Sequence, residues 1–331
     1  MERRDPKRSR FLYMRIVRTN KFKGKRTFVR MNDIILHKGK DKAAWQLHPW
    51  VFSGAIKKII GTPINGHIVR VLTVDHEFIA YGIFNANSRV AIRLLEWHQD
   101  RIVDDAWWRD RVRRSVTLRK HLLSADNNTV RLIFAEADFL PGLIVDKYAE
   151  YLSIQVHSSG IERIKDVIID ELVKLVTPKG IYERSDPKSR EHEGLLDANG
   201  LRYGEQPPEF VEVVENGIRY HINIAEGQKS GFYCDQRENR WLTAQYVKGK
   251  RVLDCFCYSG GFTLNAFRQQ ASSVVSVDSS ALAIETLRNN VVMNGYDVSI
   301  HTAVQSDVNK YLRQLSVENE RFDVIILDPP K

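Results

Sequence analysis

From Thr27 to about Ile102, short apolar runs alternate with polar positions and break at turn residues. Asp33 to Leu36, Ile68 to Val74, Phe78 to Phe84 and Val90 to Leu95 have the β-branched and aromatic make-up of strands. Gly61-Thr62-Pro63 and Asn65-Gly66 are turn signals. So many short strands in fewer than about eighty residues predict a small β-barrel. The pattern then changes. Asp104 to Ser124 reads as a helix, with acids at Asp104 and Asp105 and an arginine-rich body. Trp107 and Trp108 on it fit packing between domains better than stacking on bases. Val130 to Ala135, Leu143 to Asp146, Tyr151 to Val156 and Gly180 to Glu183 read as strands. Ile161 to Val176 is amphipathic, with Ile161, Ile164, Ile168, Leu172 and Leu175 on one side. These make a small α+β module. Glu191 to Glu205, polar and glycine-punctuated, reads as a linker closed by Pro207-Pro208.

Val211 to Ile224 is a predicted hairpin, because Asn216-Gly217 suits a type I′ turn. Residues 226–240 follow neither period. Their polar groups and glycines suit backbone wrapped over a ligand, or a plain surface loop. A strand then stops at Asp254, small residues turn the chain from Tyr258 to Gly261, a helix runs from Phe262 to Gln270, and Ser273 to Val277 is a strand stopping at Asp278. Helix Ala281 to Met293, strand Val298 to Thr302, a helix with Ser306 as N-cap, and strand Phe322 to Leu327 complete the series. Strands separated by helices predict a parallel, doubly wound sheet with ligands at the carboxyl ends of its strands. Asp254, Asp278, Asp307 and Asp328 fall at or near those ends. One such acid is often a helix cap, whereas four around one edge point to a polar ligand. Asp278 stands where it can accept hydrogen bonds from two ribose hydroxyls. The turn does not spell G-x-G-x-x-G, which disfavours a nicotinamide enzyme.

Composition narrows the class. The 331 residues allow two or three domains. No apolar run is long enough to span a bilayer, and the basic N-terminus lacks the apolar segment of a signal peptide, so the chain is expected to be soluble and cytoplasmic. The net charge of +9 attracts polyanions, of which nucleic acid is the commonest. Residues 1–27 hold much of that charge. They suit an arm along phosphates, a tail with no role, or upstream sequence ahead of a start at Met14 or Met31. Three cysteines, Cys234, Cys255 and Cys257, without framework or metal-ligand spacing predict a reducing compartment and no structural metal.

Ordered motifs carry a resemblance. They are HPWVFSG from His48, LPGLIVD from Leu140, GQKSGFYCDQR from Gly227, VLDCFCYSGGF from Val252, VSVD from Val275 and DPPK from Asp328. The set resembles class I S-adenosylmethionine-dependent methyltransferases, and more narrowly the large-subunit rRNA cytosine-C5 methyltransferases with an N-terminal PUA domain. The resemblance implies a multidomain chain: an arm (1–27), a PUA-like RNA-binding barrel (28–103), a central α+β module (104–208) and a Rossmann-like methyltransferase domain (209–331). It implies that Asp254, Phe256, Tyr258, Gly260 and Gly261 surround the methionine part of S-adenosylmethionine. Asp278 would hold the ribose with Ser279 beside it, and Asp307 would lie near the adenine. Lys229, Tyr233, Asp235 and Arg237 would close the site. Asp328, Pro329 and Pro330 would line the target-base pocket, and Asp328 would also face the cofactor. His48, Trp50, Lys57 and Lys58 would meet large-subunit rRNA. A homodimer is compatible with all of this.

In that family a cysteine thiolate attacks cytosine C6, and it lies on a strand beyond the DPP motif. This sequence stops at Lys331. The methyltransferase domain is therefore expected to be C-terminally incomplete, and the chain to bind cofactor weakly without turnover. Two other readings stay open: methylation of a guanine or adenine nitrogen, and a non-catalytic RNA-binding protein.

Overall fold

The computed structural model describes residues 31–227 and 231–329. The basic arm, Lys229 and Pro330 lie outside the described residues. The first sheet contains β1 (Asp33–Leu36), β2 (Trp50–Val51), β3 (Ile56–Ile60), β4 (Ile68–Leu72), β5 (Phe78–Phe84) and β6 (Ile92–Glu96), with helix α1 (Lys42–Trp45) between β1 and β2. Its order is β2-β6-β5-β4-β1-β3. The two edge strands are consecutive in sequence, and Val51 and Ile56 are five residues apart. Five residues span at most about 17 Å. The edges of a flat six-stranded sheet would stand about 24 Å apart. The sheet must therefore roll up, which is the barrel-like form the short strands predict. Ile34, Leu36, Val69, Val71, Ile79 and Leu94 fill it.

Helix α2 (Asp105–Arg119) opens the second region. It starts where expected because the Asp104 side chain accepts a hydrogen bond from Trp107 N at 3.0 Å. Then come β7 (Thr129–Phe134), β8 (Leu143–Tyr148), β9 (Tyr151–Val156), α3 (Ser159–Arg163), α4 (Lys165–Val176), β10 (Gly180–Glu183), α5 (Pro187–His192) and β11 (Gly200–Gly204). The sheet runs β11-β10-β9-β8-β7. Helices α2 and α4 pack together on it through Trp108, Val112, Val116, Leu152 and Leu172. The expected linker 191–205 is not one: β11 pairs antiparallel with β10. Its glycines reflect close packing. A Cβ at Gly180 would lie 2.0 Å from Glu205 O, and one at Gly204 would lie 2.0 Å from Lys179 O. The amphipathic stretch also divides, with Ile164 between α3 and α4 outside the helical region at ψ 15°.

The third region begins with hairpin strands β12 (Val211–Glu215) and β13 (Ile218–Ile222). Asn216 and Gly217 take the positive φ values, 51° and 76°, that their turn needs. Then follow α6 (Arg237–Ala244), β14 (Arg251–Cys255), α7 (Gly261–Arg268), β15 (Ser273–Asp278), α8 (Ala281–Met293), β16 (His301–Gln305), α9 (Val308–Val317) and β17 (Val324–Leu327). The sheet order is β16-β15-β14-β17, all parallel. Leu264 of α7 and Leu287 of α8 belong to one core, Val308 and Leu315 of α9 to another. Two expectations shift. Residues 298–300 form a 3-10 turn because Asp297 accepts from Ser299 N, so the third strand starts at His301. The cap of α9 is Asp307, which accepts from Lys310 N at 2.8 Å, while the Ser306 hydroxyl donates to Asp307 O.

Because β14 lies between β15 and β17, the chain leaves its carboxyl end toward one neighbour and returns on the other side. That reversal opens a crevice at the strand ends.

Candidate active site

The chain leaving β14 folds back through left-handed residues at alternate positions: Phe256 (φ 60°), Tyr258 (φ 47°) and Gly260 (φ 90°). The first two are not glycine, so this turn carries backbone strain that its surroundings must hold. Cys257 N donates to Val277 O at 3.1 Å, Tyr258 N donates to Asp278 Oδ2 at 3.0 Å, and Asn290 Nδ2 donates to Ser259 O at 3.0 Å. Asp278 is itself buried, and its Oδ1 accepts from Ser280 N at 2.9 Å. One backbone N–H thus fixes each oxygen, and each oxygen keeps a lone pair for a hydroxyl.

Around this loop lies a cavity of about 560 Å³, within the usual range for small-molecule sites. Aromatic rings of Phe232, Tyr233, Phe256, Tyr258 and Phe262 line it, with the carboxylates of Asp235, Asp278 and Asp328. Gln236, Ser279, Gly261 and Pro329 complete the lining relevant here. Gln236 Nε2 donates to Asp328 Oδ2 at 3.1 Å and Asn239 Nδ2 donates to Gln236 Oε1 at 2.6 Å, which orients the amide. Burial raises the Tyr233 phenol, and Asp328, Asp235 and Asp278 push it the same way. Arg240 also reaches the cavity, but its guanidinium is bound to Glu215 through two bonds of 2.8 and 2.7 Å. The remaining charge is negative. Such a wall favours a cation over a pyrophosphate, and aromatic faces add to that preference.

The PUA-like domain family matches residues 34–97, and the S-adenosylmethionine-dependent methyltransferase family matches residues 192–331. A protein of Aeromonas hydrophila named ribosomal RNA large subunit methyltransferase I is 41% identical over 300 residues, covering 90% of this chain and 76% of the relative. The protein of that name from Photobacterium profundum is also 41% identical, with the same coverage. The chain belongs to the ribosomal RNA large subunit methyltransferase I family. It is an S-adenosylmethionine-dependent methyltransferase. The fold is shared with the solved structure "A putative sam-dependent methyltransferase from Streptococcus mutans", at TM-score 0.78 and 20% identity over 90% of this chain and 77% of that one.

The residues of this methyltransferase fit its cofactor. S-adenosylmethionine is a sulfonium and ammonium cation with an adenosine. The cavity offers three carboxylates, five aromatic rings and Asp278 with hydroxyl-accepting capacity. Asp254 adds a second sign. It lies behind the lining, buried, with Oδ2 accepting from Thr263 N at 3.0 Å and from Thr263 Oγ1 at 2.6 Å. Its Oδ1 is buried without a hydrogen-bond partner among the described residues. Burial pushes its carboxyl up to about 7. A hydrogen-bonded chain continues from Thr263 Oγ1 to Ser276 Oγ at 2.7 Å and on to His301 Nε2 at 3.1 Å. Burial lowers the His301 imidazole to about 4.

The expected site residues divide in two. Tyr233, Asp235, Phe256, Tyr258, Gly261, Asp278, Ser279, Asp328 and Pro329 meet at the cavity. Asp254, Gly260, Arg237 and Asp307 stand outside its lining. Gly260 serves packing, because a Cβ there would lie 2.2 Å from Leu287 Cδ1. Arg237 pairs with Glu238, and Asp307 caps α9. Phe232, Gln236, Arg240 and Phe262 line the cavity and were not singled out from sequence. Phe232 and Gln236 fall in the aperiodic run 226–240, which was a usable signal. Arg240 depends on Glu215, a residue of the distant hairpin, and had none.

The cysteines are free and buried. Burial raises each thiol, that of Cys255 to about 11. Cys257 touches the cavity.

On the first sheet, His48 and Trp50 are exposed and meet edge to face at 6.0 Å, and Trp50 meets Phe52 in the same way at 6.5 Å. Trp50 Nε1 donates to Glu136. Lys57 and Lys58 are exposed on β3. The arginines of α2 are engaged otherwise. Arg109 and Arg113 pair with Glu171, Arg111 with Glu96, Arg114 with Asp110, and Arg119 with Asp138. Trp108 is buried in the second core, and Trp107 donates to Glu96, so both pack rather than present a base platform. Among the described residues, no helix is long and apolar enough to cross a membrane.

Proposed function

We propose that this methyltransferase transfers the methyl group of S-adenosylmethionine to carbon 5 of a cytosine in large-subunit ribosomal RNA, in the cytoplasm. The observation that carries the reading is the acidic, aromatic cavity at the carboxyl ends of β14, β15 and β17. The cofactor supplies an electrophilic methyl group on a sulfonium centre. Asp278 accepts the ribose hydroxyls, and the strained 256–261 backbone encloses the amino-acid end. Asp328, oriented by Gln236, forms the wall for the target base and accepts its exocyclic amine. His48, Trp50, Lys57 and Lys58 contact RNA beside the flipped nucleotide. The relatives' names support large-subunit rRNA as the substrate, and the ordered motifs support cytosine C5.

One observation favours a second reading, methylation of a base nitrogen. Asp328 and Pro329 line the cavity, and Asp-Pro-Pro motifs also serve amino methylation. The test uses radiolabelled S-adenosylmethionine, large-subunit rRNA lacking base methylation, and nucleoside mass spectrometry. Labelled 5-methylcytidine is expected. A labelled N-methyl nucleoside establishes the second reading, and no incorporation by protein that binds S-adenosylhomocysteine overturns both.

A further inference from the structure

Phe232, Tyr233, Asp235 and Gln236 form one wall of the cavity, yet side chains from the five-stranded sheet and the chain just after β10 hold this stretch and residues 225–227. Tyr148 of β8 is fully buried and sets its hydroxyl between the two backbone groups of Phe232. It donates to Phe232 O at 3.0 Å and accepts from Phe232 N at 3.1 Å. Arg131 of β7 binds Asp146 through bonds of 2.8 and 3.1 Å, and its remaining nitrogen, Nη1, pairs with Asp235 at 3.4 Å. One rigid planar group therefore sets Asp235 relative to a fully buried carboxylate. Arg184, directly after β10, donates to the carbonyls of Ala225 and Gly227, the latter at 2.9 Å.

The wall lacks a ladder of its own. Between β13 and α6 the described residues hold only a 3-10 turn, Cys234–Gln236. Its backbone groups therefore depend on outside partners. Phe232 and Asp235 are the points held by Tyr148 and Arg131, and both line the cavity.

We propose that Arg131, Tyr148 and Arg184 are positioning residues: they clamp residues 225–227 and 231–236 onto the five-stranded sheet and so set Phe232 and Asp235 for ligand binding. This rests on the cavity being the cofactor site. The central module then acts on the reaction without touching a reactant.

The test measures S-adenosylhomocysteine affinity by calorimetry, and hydrogen exchange of amides 231–236, on the full chain. Tyr148→Phe removes one hydroxyl from an otherwise unchanged ring. It is expected to speed exchange at 231–236 and weaken the ligand, each about tenfold, the weight of one or two lost hydrogen bonds. Exchange in β9 stays as in the parent. Arg184→Met gives the same pattern, and Arg184→Lys, which keeps a cationic donor, recovers most of the affinity. Unchanged exchange, faster exchange with unchanged affinity, or an Arg184→Lys loss equal to that of Arg184→Met overturns the clamp. Asp278→Ala separates the two claims. If it binds the ligand like the parent, the cofactor reading fails. If it loses binding while Tyr148→Phe and Arg184→Met keep it, the clamp alone fails.

Discussion

In the five-stranded sheet, Glu183 is fully buried and meets Arg202 at 2.7 Å, Lys165 at 3.1 Å and Arg190 at 3.2 Å. In the four-stranded sheet, Asp254 is just as buried, meets no cation, and leaves one oxygen without a hydrogen-bond partner among the described residues. The same contrast runs through both regions. Asp146, Asp138 and Glu171 of the central module face arginines. Asp278 and Asp328 face backbone N–H groups, an amide and a cavity. A buried carboxylate answered by guanidinium groups has its lone pairs committed and serves stability. One fixed by neutral donors at a strand end keeps its charge available to a ligand. Burial alone does not distinguish the two uses; the partner does.

The largest effect should come from Glu183→Ala, which takes one buried carboxylate from Arg202, Lys165 and Arg190 together and leaves Arg190 only Glu162 as an anionic partner. Losing one member of such a network costs about 3–5 kcal/mol, read by urea unfolding. S-adenosylhomocysteine affinity under native conditions should hold. A loss near zero would break the comparison from the stability side. Next is Asp278→Ala, expected to weaken that ligand by about 1.5–3 kcal/mol, since it removes an acceptor of two hydroxyls. Calorimetry against NAD as well as S-adenosylhomocysteine checks it, and preference for NAD would break the comparison from the functional side.

A third experiment sharpens it through pH. The Asp254 carboxyl lies at about 7 in the folded chain, above its unfolded value, so its contribution is full at low pH and lost as pH rises toward 7. His301 is lowered to about 4, so its contribution is full above its unfolded value and lost as pH falls toward 4. Melting curves from pH 4 to 8 should show Asp254→Asn gaining on the parent as pH rises, and His301→Gln gaining as pH falls. Parallel curves for all three proteins would show that the buried chain of hydrogen bonds does not titrate. The smallest effect concerns Lys57→Ala and Lys58→Ala. Each should lower the salt dependence of rRNA binding by about one unit of slope and leave cofactor affinity alone.

Local patterns made much of the methyltransferase sheet legible. Helix α8 and the Asn216-Gly217 turn follow from period and turn chemistry, which act over a few residues. Strand β11 was hidden because its glycines answer a close backbone approach to β10, and a sequence shows glycine without its cause. Asp307 outcompeted Ser306 as a cap by a single position, which periodicity does not resolve. The acids at the strand ends were visible because a parallel sheet places such residues at one edge by topology alone.

The sequence by itself determined most of the strands, the loop between β14 and α7, and Asp278 and Asp328 at the crevice, since period, turns and strand polarity are local properties. Only the tertiary structure decided which charges are spent. Arg240 on Glu215, Arg131 between Asp146 and Asp235, and Asp254 with an oxygen left over all depend on residues far apart in the chain. An ion pair is made by distance and burial, and neither is written in a residue's neighbours.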